Sequence, residues 1–150
     1  MNIIYISIYK SPMDPRNIQK AFNNHFIEFI DDIAAYFNDN LEIQTTANAL
    51  RAMRKANPKL IIGVWKTSIV DVYSSEIERG DFNFFITKEY TNDVAGMDSN
   101  NEVLKGIEKI RKPIQNMPEN DQNKSMKYIQ NLTKLCSLFT TANERMKNIT

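Results

Sequence analysis

The sequence predicts an all-α fold: a single-domain bundle of about five or six helices at residues 14–150, behind a short extended N-terminal arm at residues 1–13. Three observations carry this expectation. Large apolar residues recur at spacings of three and four along most of the chain. Asp14-Pro15 and Asn57-Pro58 each join a capping side chain to a proline at the position where a missing N–H costs nothing, so each marks a helix start. No repeat, long linker or low-complexity tract divides the 150 residues, and with 42% of them apolar one core is the economical reading.

The arm comes first. Ile3, Ile4, Ile6 and Ile8 make Met1 to Tyr9 apolar and β-branched, but the stretch is too short to span a membrane and lacks the basic start of a signal peptide. A lone strand cannot satisfy its own backbone, so the arm is expected to lie against the body or a neighbouring molecule. From Asp14, the residues Ile18, Phe22, Phe26, Phe29, Ile33, Tyr36 and Phe37 form one apolar stripe, closed by Asn38-Asp39-Asn40. A second helix runs from about Leu41 to Ala56, with Ile43, Ala47, Leu50 and Met53 inward and Arg51, Arg54 and Lys55 near its C-terminus, where cations suit the dipole. A third starts at Asn57-Pro58 and carries Leu60, Ile61, Val64, Trp65, Ile69, Val72, Tyr73 and Ile77, the broadest apolar face in the chain, so it is expected to lie centrally. Gly63 inside it suggests close approach of another helix, and Gly80 is placed to end it.

Asp81 can cap a short fourth helix holding Phe82, Phe84, Phe85, Ile86 and Tyr90, a density of aromatics that means packing or partner contact. Thr91 to Asn101 reads as the main loop. Val103, Leu104, Ile107, Ile110 and Ile114 define a fifth helix, kinked or ended near Pro113. Pro118 opens the last, buried through Met126, Ile129, Leu132, Leu135, Cys136 and Phe139, with a polar tail from Thr140 that frays or continues it.

Chemistry is sparse. Lys and Arg number 19 against 18 Asp and Glu, so no overall field points to nucleic acid or an anionic surface. The single cysteine, Cys136, rules out an internal disulfide framework and, on an apolar stripe, reads as an inert buried thiol. His25, Glu28 and Asp32 share one face of the first helix, but three groups on one helix without a second histidine make a poor metal site, and the reading is a solvated polar face. Asp31-Asp32 point about 100° apart and cannot act on one substrate alone. Arg51, Arg54, Lys55, Lys59 and Lys66 near Trp65 could grip nucleic acid, but the tryptophan lies on the apolar face. No phosphate loop, nucleophile elbow, zincin pair or calcium loop occurs in the sequence, so neither an enzyme nor a cofactor is expected.

The run from Phe26-Ile27-Glu28-Phe29-Ile30-Asp31-Asp32 through Asn57-Pro58-Lys59-Leu60-Ile61-Ile62 and Trp65 to Gly80-Asp81-Phe82-Asn83-Phe84-Phe85 and Tyr90 resembles small uncharacterised helical proteins of the nucleocytoplasmic large DNA viruses. A weaker echo lies in Lys127-Tyr128-Ile129-Gln130-Asn131-Leu132. The shared residues are caps and core positions, so the resemblance implies a common fold and carries no catalytic assignment. It implies a virus-encoded intracellular product of the host cytoplasm, a virion or assembly component. The expected function is therefore a non-enzymatic structural or protein-interaction module with a protein partner or self-association and no membrane. Its expected interaction surface is Ile4, Ile6, Ile8, Phe82, Phe84 and Phe85. The alternative is a nucleic-acid-associated accessory protein using basic surface from residues 51–66 and 105–147, with Arg51, Arg54, Lys55 and Lys59 as contacts.

Overall fold

Asp14 and Pro15 start the first helix as their chemistry requires: Pro15 occupies the first turn, and the Asp14 carboxylate accepts the Arg16 backbone N–H at 2.9 Å. The computed structural model describes residues 14–81, 83–84 and 99–149. The expected arm, and the expected aromatic helix and loop apart from Asn83, Phe84 and Ser99 to Asn101, lie outside the described residues. Helix α1 spans Pro15–Tyr36 and α2 spans Leu41–Ala56. The turn between them is tied from both sides. Asn40 caps α2 by accepting the Ile43 N–H at 3.1 Å, while the Gln44 amide reaches back to the Ala34 and Phe37 carbonyls at 2.8 and 3.0 Å, which the end of α1 leaves without helical donors.

Asn57-Pro58 makes a turn before the third helix rather than its first residues. The Asn57 side chain accepts the Lys59 N–H, the Asn57 carbonyl accepts the Leu60 N–H, and Asn23 of α1 donates to the Pro58 carbonyl at 2.9 Å. Helix α3 then runs as Leu60–Val64, a π-helical turn Trp65–Val70, and Asp71–Glu78. Ile61, Trp65, Ile69, Tyr73 and Ile77 are buried at a constant spacing of four. In a regular helix each such step overshoots a turn by about 40°, so the series would wind off its face. The wider π turn takes up that drift. It also corrects one sequence expectation: Val72, two regular turns beyond Trp65, is 55% exposed, because the delayed phase brings Tyr73 onto the core instead. Gly80, at φ +70°, ends α3: its N–H meets the Ile77 carbonyl and the Asp81 N–H meets that of Glu76.

Helix α4 spans Ser99–Arg111 and passes into a 3-10 turn, Lys112–Asn116, that contains Pro113; α5 spans Glu119–Ile149. Helix α4 begins four residues before the first apolar position, because its polar first turn carries no periodicity to read. The tail from Thr140 continues α5 as helix through Ile149.

The result is a single all-α domain. Helix α1 packs along α5 and α2 along α4, while α3 touches all four and lies centrally as expected. Trp65, 1% exposed, joins three of these helices: its ring meets Phe22 and Phe26 of α1 edge-on at 6.0 and 6.3 Å, and its indole N–H donates to Thr133 of α5 at 3.1 Å. Tyr36, expected inward, is 47% exposed where the α1 stripe runs past the end of the core. Gly63 is corrected too. It faces open space, with nothing within 4 Å of where a Cβ would stand. The close approach belongs to Gly106 of α4, where a Cβ would lie 3.0 Å from a Leu50 methyl of α2. No helix among the described residues is long and apolar enough to cross a membrane.

Candidate functional site

A polar cluster with a buried histidine lies in the seam between α1 and α5. His25 follows Phe22 by three residues and precedes Phe29 by four, so it stands inside the apolar stripe, and the ring is 2% exposed. This overturns the solvated polar face expected for His25, Glu28 and Asp32. Only the two carboxylates reach solvent, with side chains 62% and 42% exposed. Tyr128 of α5 closes the cluster. Its ring stacks on Phe29 at 5.1 Å and tilts over His25 at 4.7 Å, and its hydroxyl lies 2.7 Å from Asp32 Oδ2 and 3.1 Å from Glu28 Oε1.

One hydroxyl hydrogen serves two carboxylates here, and the shorter contact makes Asp32 the principal acceptor. The Lys124 ammonium, 3.1 Å from the same Asp32 oxygen, offsets part of the negative charge. Burial first, and then the carboxylates, push the Tyr128 phenol far above its ordinary range, so it stays a hydrogen-bond donor. His25 moves the other way: burial lowers its affinity for a proton, and Glu28, with Oε2 3.8 Å from Nδ1, opposes that only in part. Removing the hydroxyl by Tyr128→Phe is expected to lower stability by about 1–2 kcal/mol, less than a fully buried charged hydrogen bond because both acceptors are half wet. Urea unfolding of the two proteins measures it.

The face that the sequence offered for a divalent ion therefore has a tyrosine hydroxyl between its carboxylates. Among the described residues no group of three or more His, Cys, Asp or Glu is placed to hold a metal ion. Cys136 is buried with Sγ 3.7 Å from the Ile62 carbonyl, and burial pushes its thiol up to about 12, which keeps it protonated and unreactive at neutral pH.

The remaining sequence-derived residues are dispersed. Ile4, Ile6, Ile8, Phe82 and Phe85 lie outside the described residues. Phe84 is half-buried, its ring 5.4 Å from that of Tyr73, and its N–H is accepted by Asp81 at 3.0 Å, the cap anticipated for that helix. Arg51 donates to Asp31 at 2.6 and 2.9 Å and to Asn48 at 2.8 Å, and Arg54 donates to Asn24. Lys55 and Lys59 are exposed. Three lysines of the second basic stretch, Lys105, Lys109 and Lys112, line a cleft together with the carboxylates Glu42 and Glu108.

Tyr128 is the residue that sequence reasoning missed. It lies a hundred positions from Glu28, and only the phase of α5 could have hinted that it turns inward. The position of His25 within the stripe was legible, and its polarity concealed it. No protein-family model, curated protein or solved structure matches this chain.

Proposed function

We propose that this protein is a non-enzymatic protein-interaction module that serves as a virion or assembly component of a large DNA virus. The viral part rests on the sequence resemblance alone. The interaction reading is supported by the corner between α1 and α2, where Tyr36 is 47% and Leu41 81% exposed, and Tyr36 sits edge-on to half-buried Phe37 at 4.8 Å. Apolar side chains gathered in the stretch 36–41 favour a contact surface over the single exposed residues common on any protein. A cleft of about 310 Å³ beside Tyr36, with Phe29, Ile33 and Met117 in its wall and Asp32 and Lys124 among its polar lining, adds room for a partner side chain.

A nucleic-acid-associated role draws less support, since Arg51 and Arg54 have polar partners within the fold and Trp65, the residue to stack on a base, is buried. Sedimentation velocity of the full chain and mass spectrometry of purified particles test the first reading. Leu41→Asp should leave the melting temperature unchanged and weaken association at least tenfold. A wild type that stays monomeric and is missing from the particles removes it, and a gel shift at low salt that fades steeply with added salt would favour the second.

A further inference from the structure

His25 is the one histidine of the chain, and among the described residues neither of its ring nitrogens has a hydrogen-bond partner, although the residue is 2% exposed. A neutral imidazole offers one N–H and one bare nitrogen, and leaving both unmet in a core is costly where a phenylalanine or leucine would fill the same stripe at no such cost. Beside it stands a carboxylate with two allegiances. Glu28 Oε2 lies 3.8 Å from His25 Nδ1, beyond hydrogen-bond reach but within a small side-chain rotation, while Oε1 is 3.1 Å from the Tyr128 hydroxyl.

We propose that His25 is a proton sensor built into the α1–α5 seam: once protonated, the ring donates from Nδ1 to Glu28, draws that carboxylate from the Tyr128 hydroxyl, and loosens the seam. The proton comes from solvent and adds to the bare ring nitrogen; only that N–H bond forms. Among the described residues, the charged group beside the ring is Glu28 of α1; the neutral Tyr128 phenol of α5 covers the ring, and farther along the seam Lys124 of α5 already pairs with Asp32 of α1, so Glu28 is the counter-charge left for an imidazolium. Helices α2 and α3 also pack on α1, but their polar ties run elsewhere, from Arg51 to Asp31, from Arg54 to Asn24, and from the Pro58 carbonyl to Asn23.

Burial holds the folded imidazole below its ordinary value, so unfolded chains take up the proton first. Stability is then fully present above the unfolded value of about 6.5 and is lost as pH falls from there toward the folded one. The folding constant should drop about tenfold for each unit by which the His25 midpoint lies below 6.5. With a single histidine, the imidazole resonance of the full-length protein is assigned without ambiguity in a proton NMR titration.

The expected result is a His25 midpoint below about 6.5, Tyr128 ring signals that shift with the same midpoint, and a still lower midpoint in Glu28→Gln. Urea unfolding of His25→Phe should show no acid loss between about pH 7.5 and 5.5, a window above most carboxylate titration. A midpoint at or above 6.5, Tyr128 signals that do not follow it, or an unchanged acid loss in His25→Phe overturns the proposal. If His25→Phe does not fold, the titrations of wild type and Glu28→Gln decide alone.

Discussion

Trp65→Ala is expected to destabilise the domain by about 3–5 kcal/mol, a large part of the stability that a chain of this size has to lose. The indole fills the junction of α1, α3 and α5, and its neighbours Phe22 and Phe26 stand on a helix held by its packing along α5, so they cannot collapse into the space. The substitution also leaves the Thr133 hydroxyl without its indole donor. Trp65→Phe keeps an aromatic edge in place and should lose clearly less. Far-UV circular dichroism during urea unfolding measures both; a cost for Trp65→Ala below about 1 kcal/mol would mean that the indole does not sit in a rigid core.

Substitutions at two glycines should give opposite signs. Gly106→Val is expected to cost about 3 kcal/mol, because the first added carbon already lies 3.0 Å from the Leu50 methyl and the branched remainder has to push α4 off α2. Gly63→Ala, with open space around its Cβ, should stabilise by about 0.5–1 kcal/mol through helix propensity alone. Leu50→Ala makes room opposite Gly106, so the double variant Leu50→Ala with Gly106→Val should be less damaged than the sum of the two, with a coupling of about 1–3 kcal/mol. Strict additivity in thermal unfolding would show that the two side chains do not meet.

These glycines also show what a sequence can and cannot display. Asp14-Pro15, Gly80 and the turn at Asn38 to Asn40 were legible because capping is local chemistry, decided within a few residues. Trp65 was legible because its stripe was. Both glycines, by contrast, sit inside helices, and nothing local says which one another helix approaches. The π turn was hidden for a related reason: reading apolar residues at 3.6 per turn assigns Val72 inward, and only the constant spacing of four from Ile61 to Ile77 hints at a wider turn. At the candidate site, Glu28 and Asp32 could be placed on one face from spacing alone. The phenol that joins them comes from the far end of the chain, and the burial of His25 follows from that docking.

The junction at Trp65 makes this protein its own instrument. It holds the chain's only indole, so fluorescence emission observes one place, where three helices meet, and needs no engineered label. That emission should stay at short wavelength while the junction is dry and move to longer wavelength once water reaches the indole. The lone imidazole, which faces Tyr128 farther along α5, reports on its own surroundings. An acid condition that changes the second signal and leaves the first untouched would mark an opening of one side of the bundle with the rest intact.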